Sequence, residues 1–130
     1  MKKLLSMVLV LVMALSLGSV AFAAEKDFEI VVVPKDASNP WFVRMNVGVE
    51  EYAKETGLNV YQRGTPQIDA TLQYQLIQDL VAEGVSAICV VPVDPASLEP
   101  VLKQARDAGI IVIAHEGASL ENVGYDIEAF

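Results

Sequence analysis

Apolar residues along this chain recur in two alternating rhythms. A nearly unbroken apolar run at 28–33 reads as a strand covered on both faces. After it, Phe42, Met45, Val49, Tyr52 and Ala53 recur at helical spacing, with Arg44, Glu50, Glu51, Lys54 and Glu55 on the opposite side. Gly57 stands where a helix ends. Residues 58–61 alternate apolar and polar, which predicts a strand with one less covered face, hence an edge. Asp69 is placed to cap a second helix with Leu72, Leu76, Ile77, Leu80 and Val81 as its buried stripe and Gly84 as its stop. A continuous apolar strand at 85–91 follows. Asp94 and Pro95 then open a third helix with the stripe Leu98, Val101, Leu102, Ala105 and Ala108, stopped by Gly109. A fourth apolar strand occupies 110–114, with His115, Glu116 and Gly117 at its C-terminal end.

Strands alternating with helices predict right-handed βαβ units: an α/β fold in three layers, a parallel sheet with helices on both faces. With the second strand at an edge, the expected order is 2-1-3-4, and the switch point lies between the first and third strands. Three loops share that rim, at 35–42, 92–95 and 115–117. No repeat or low-complexity stretch interrupts the pattern. Residues 122–130 read as the approach to a further element, so the chain is expected to be a fragment of a longer protein.

The rim loop after the first strand carries the most chemistry. Asn39 followed by Pro40 reads as an N-cap and a favoured first helical residue. Trp41 and Phe42 then fall in the first helical turn, at the C-terminal end of a strand, where open α/β sheets bind ligands. An aromatic face beside a helix N-terminus and Lys35 suits a small polyhydroxylated molecule; packing of Trp41 under the loop is equally compatible with its position. Asp94 reads as a cap, and Asp126 fits either a structural or a ligand role.

The first residues change the picture of where the protein works. Lys2 and Lys3, an apolar stretch at 4–17 and small residues around Ala21-Phe22-Ala23 make a secretory signal peptide at 1–23, too short for the ~20 residues of a spanning helix. Residues 24–130 then form one small domain. Loss of Lys2 and Lys3 takes the formal charge from −8 to −10. So acidic a chain argues against nucleic acid and anionic membranes as partners. Cys89 is the single cysteine, so no intrachain disulfide forms, and it is expected as a small buried apolar residue.

Taken together, the signal peptide, the Asn39-Pro40-Trp41-Phe42 turn, the run GVSAICVVPVDP at 84–95 and AGIIVI at 108–113 resemble the substrate-binding proteins of bacterial ABC sugar importers, in the group that includes ribose-, rhamnose- and autoinducer-2-binding proteins. Such proteins are two-lobed clamshells with a hinge, and this resemblance covers the N-terminal lobe. It implies that Asn39 bonds sugar hydroxyls, that Trp41 and Phe42 stack on the ring, and that Lys35 contacts ligand. Many members carry Asp-Arg after the fourth strand. Here His115 precedes Glu116-Gly117, so the carboxylate is kept and the guanidinium is lost, and His115 and Glu116 are the ligand contacts expected from this loop. The tail at 122–130 looks more like the rhamnose and autoinducer-2 branch.

The resemblance further implies a periplasmic protein, monomeric at full length, that delivers a small sugar-like ligand to an ABC permease in the inner membrane. It calls for no cofactor or metal. An enzyme is disfavoured: the chain lacks Gly-x-Ser-x-Gly, a phosphate loop and a dinucleotide fingerprint. One histidine beside Glu116 makes at most half a metal or acid–base site. The alternative is the effector-binding domain of a sugar-responsive repressor, which shares this architecture. The leader at 1–23 opposes it.

Overall fold

The computed structural model describes residues 27–127. Five strands and three helices occur among them: β1 (Glu29–Val33), α1 (Pro40–Thr56), β2 (Asn59–Gln62), α2 (Ala70–Glu83), β3 (Ala87–Val90), α3 (Pro95–Asp107), β4 (Ile111–His115) and β5 (Tyr125–Ile127). The predicted leader at 1–23 and the last three residues lie outside the described residues. All strands are parallel, in the order β2-β1-β3-β4-β5. The predicted order of the first four strands is therefore present, with β2 at one edge. The tail contributes a fifth strand in register with β4, Ala114 opposite Asp126.

Local chemistry sets each helix end. Asn39 holds extended backbone and its Oδ1 accepts the Trp41 N–H at 2.9 Å, while Pro40 enters the helix without an N–H to satisfy. Asp69 Oδ1 accepts two N–H groups, from Thr71 and Leu72. Gly57 and Gly84 close α1 and α2 at φ of 71° and 67°, a region that disfavours any side chain. Asp94 departs from expectation: it occupies the N-cap position of α3 but makes no side-chain cap bond, and its carboxylate is exposed.

Helices α2 and α3 cover one sheet face. Val31, Val33, Ile88, Val90, Val112 and Ala114 project there and join Ile77, Leu80, Leu98, Val101, Leu102 and Ala105 in one fully buried cluster. Each large apolar side chain so buried contributes about 1.5–3 kcal/mol. The stripe of α3 is as predicted apart from Ala108, which is exposed. That of α2 is rotated: Gln73, Ile77 and Leu80 are buried, whereas Leu72 is 37 % exposed.

Helix α1 lies on the other face, and covers only part of it. Ile30, Val32, Val60 and Cys89 line an apolar groove of about 700 Å³ against Met45 and Val49 of α1. Further across the sheet, Ile111 is 44 % exposed. Cys89 is half-buried rather than enclosed, and burial still pushes its thiol pKa up.

Candidate functional site

The C-terminal ends of β1, β3 and β4 make one rim, and the chain diverges there: α1 leaves β1 for one face, while α3 leaves β3 for the other. This is the switch point of an open parallel sheet, a crevice that no ladder hydrogen bond can close.

Lys35, just after β1, and Glu116, just after β4, meet across this rim. Lys35 Nζ donates to Glu116 Oε2 at 2.5 Å, and both side chains keep contact with solvent. The bond from Lys35, supported by the charges of Lys35 and His115, holds the Glu116 carboxyl below its usual range against a smaller burial effect. Glu116 has a left-handed φ of 59°, unusual for a residue with a side chain. Its neighbours fix that turn. The Gly117 N–H donates to Asp126 Oδ1 at 3.2 Å, Leu120 N–H donates to the Gly117 carbonyl, and Leu120 is buried in the core.

Gly117 itself admits no side chain. A Cβ there would lie 2.7 Å from the Ala114 Cβ and 2.9 Å from Leu120 Cδ1. Position 117 thus has no room for the stem of a longer side chain. Beyond the turn, both oxygens of Glu99 on α3 accept from the loop, from Glu121 N–H and from the backbone and side chain of Asn122. Arg106 donates to the Val123 carbonyl. The connection from β4 to β5 has no helix, and these α3 side chains hold it instead.

The two aromatics separate. Trp41 is 64 % exposed, so its ring offers an open apolar face; Phe42 is 5 % exposed and packs inward. Asn39 is exposed beside Trp41, with its carbonyl oxygen committed to the cap. His115 alternates onto the α1 face of the sheet, lining the same groove as Trp41 and Cys89, and its Nε2 is buried without a hydrogen-bond partner. The structure therefore brings Lys35 and Glu116 into contact and leaves exposed both Asn39, which ends the loop after β1, and Trp41, in the first turn of α1. It turns His115 toward the α1 face and withdraws Phe42.

Asp36 and Ser38 shape the first loop: Asp36 Oδ1 accepts from the backbone N–H and hydroxyl of Ser38, which lowers its pKa. The loop after β2 packs against it, with Ala37 N–H on the Thr65 carbonyl and Gly64 too close to Pro34 for a Cβ.

Two residues escaped the sequence reading. Asp94 was assigned to a cap and instead presents a free-standing carboxylate on the rim. Gln73, absent from the stripe read in the sequence, ties the end of β1 to that of β3. The signal for Gln73 was its spacing from Ile77 and Leu80, which puts it on their face of the helix.

Comparison with known proteins is consistent with this geometry. Residues 30–130 match the model of a periplasmic binding protein domain. The chain is 30 % identical over 102 residues to a D-ribose/D-allose-binding protein of Pseudomonas aeruginosa, covering 76 % of this chain and 32 % of that protein. It is 33 % identical over 121 residues to a D-allose-binding periplasmic protein of Escherichia coli, covering 89 % of this chain and 38 % of that one. Among solved structures, LsrB from Clostridium saccharobutylicum in complex with AI-2 superposes with a TM-score of 0.65 at 32 % identity, over 68 % of this chain and 27 % of that one. The chain spans about a third of the length of the curated relatives it matches. On the family match, the sheet order and these relatives, the chain belongs to the periplasmic binding protein family.

Proposed function

We propose that this chain forms the N-terminal lobe, residues 24–130, of the solute-binding component of an ABC sugar importer. In this reading its rim holds a small polyhydroxylated ligand without chemical turnover. The observation that carries the reading is the convergence of an ion pair, Lys35–Glu116, and an exposed indole, Trp41, on the C-terminal rim of a parallel sheet. Sugar C–H faces pack on aromatic rings, and hydroxyls that match Lys35, Glu116 and Asn39 replace their water. A wrong sugar leaves one of these groups unpaired at a cost of about 1–3 kcal/mol, which gives selectivity.

Within that class we favour a ligand of the rhamnose or autoinducer-2 kind over a common pentose or hexose. Two features support this: Gly117 stands where many members carry arginine, and it has no space for a side chain. The relatives' names point more broadly, to ribose, allose and AI-2. The protein is exported, delivers its ligand to an inner-membrane permease, and works as a monomer at full length.

The test is calorimetric titration of the full-length protein with ribose, allose, rhamnose and autoinducer-2, after N-terminal sequencing of the exported product. A mature terminus near Ala24 and saturable binding of one of the four are expected. A protein that keeps Met1, stays in the cytosol and binds none of them overturns the reading.

A further inference from the structure

Gln73 is 2 % exposed, the one polar side chain fully buried among the described residues. It stands in the first turn of α2, a turn held by the Asp69 cap. Its Nε2 donates to the Val91 carbonyl at 2.8 Å and to the Pro34 carbonyl at 3.3 Å, and its Oε1 accepts the Val93 N–H at 2.7 Å. Both amide protons and one lone pair are therefore used on backbone groups of two different loops.

Those loops are the ones that part at the switch point. The β1–β3 ladder ends at Val33 opposite Val90, with one last bond from Val91 N–H to the Val33 carbonyl. Past that point the backbones diverge, and their next polar groups have no strand partner. A buried carbonyl or N–H left unpaired is costly, and a side chain from a neighbouring element can reach into the fork to pair it. Gln73 fills it. Of the three residues it grips, Pro34 and Val93 lie immediately before Lys35 and Asp94, both on the rim.

We propose that Gln73 is a positioning residue of the rim. Its buried amide clamps the ends of β1 and β3 across the switch point and thereby sets where Lys35 and Asp94 stand toward a ligand. The ligand half of this statement rests on the sugar-binding reading above; the geometric half does not. A residue that only filled space would leave the two loops free to adjust, whereas this amide dictates both the spacing of their backbones and the direction of the Val93 N–H.

The experiment compares Gln73→Met with Leu80→Ala in the full-length protein. Met keeps nearly the volume of Gln and removes all three bonds. Leu80 is buried on the same helix, away from the rim, and serves as the control for destabilisation. Backbone amide NMR without ligand is the first readout: Gln73→Met is expected to displace Lys35, Val93 and Asp94 resonances, and Leu80→Ala to leave them in place. Affinity for allose, ribose, rhamnose and autoinducer-2 is the second. For whichever binds, a loss of tenfold or more is expected in Gln73→Met, against less than twofold in Leu80→Ala at a comparable fall in Tm. Equal loss of affinity in both variants, or unmoved Lys35 and Val93 amides in Gln73→Met, overturns the proposal. Should no sugar bind the wild type, the sugar reading falls and the amide shifts alone decide the clamp. Should Gln73→Met not fold, hydrogen exchange of the wild type decides: a Val93 N–H as slow as the β3 core supports the clamp, and rapid exchange refutes it.

Discussion

Lys35 and Glu116 are 81 residues apart in sequence, yet their side chains touch at 2.5 Å, joining the loop after β1 to the loop after β4. The pair spans β3, which lies between those strands. It forms a polar bar across the rim crevice, one that the proposed ligand must either share or open.

The pair has a titration signature. Because the Glu116 carboxyl is held below its ordinary 4.5, the pairing is complete above that value and is lost as the pH falls through the depressed one. The side chains are partly exposed, so the effect on global stability is small. In a carbon-detected NMR titration Glu116 is expected to show a midpoint below 4.5, and Lys35→Met is expected to return it toward 4.5. A midpoint insensitive to Lys35 would dissolve the bar. In ligand titrations Lys35→Met is expected to weaken binding by roughly tenfold, in line with ~1–3 kcal/mol for a lost charged partner.

Gly117 predicts the outcome of placing an arginine at that position. Gly117→Arg must push its Cβ against Ala114, which is backbone-bound and cannot yield. Overpacking of this kind costs typically ~1–3 kcal/mol. Thermal melts are expected to show a Tm several degrees lower, in the range of about 4–8 °C per kcal/mol for a domain of this size, without gain in affinity for ribose. Unchanged Tm with tighter ribose binding would show that the turn relaxes freely.

The two aromatics are expected to respond oppositely. Trp41→Ala removes a 64 % exposed ring, so it is expected to lower ligand affinity at nearly constant Tm. Phe42→Ala empties a buried site and is expected to cost about 3 kcal/mol of stability. Asn39→Ala lies between them, losing about 1 kcal/mol of helix capping together with the ligand contact proposed for it. Melting curves and titrations on the same samples separate the three patterns; a Tm loss for Trp41→Ala equal to that of Phe42→Ala would mark Trp41 as a packing residue.

Residues 24–130 alone are expected to self-associate and to bind sugar weakly. Ile111 and the groove beside Cys89 leave an apolar sheet face open to water, and parallel sheets are normally covered on both sides. One rim also faces solvent, where each hydrogen bond nets only ~0.5–1.5 kcal/mol, and a few such contacts against the cost of ordering the ligand leave about millimolar affinity. Size-exclusion chromatography at micromolar concentration and calorimetry test both statements. A monodisperse fragment with micromolar affinity would contradict them.

What the sequence determined by itself was the alternation of elements, the edge position of β2, the order of the first four strands and the placing of Lys35, Asn39, Trp41 and Glu116 on one rim. These follow from local rules: apolar periodicity, Asn-Pro and glycine punctuation, and the handedness of parallel crossovers. Tertiary structure alone decided the rest. Whether Trp41 or Phe42 turns outward depends on which direction of α1 meets the sheet, since adjacent helical residues differ by about 100°. The phase of α2 followed its docking on β1 and β3, which drew Gln73 inward and left Leu72 half-exposed; hydrophobicity by itself favoured the reverse. The Lys35–Glu116 contact and the bonds from Gln73 to Pro34, Val91 and Val93 are distances between segments remote in the chain. No local pattern encodes such distances, because they are set only when the sheet brings its strand ends together.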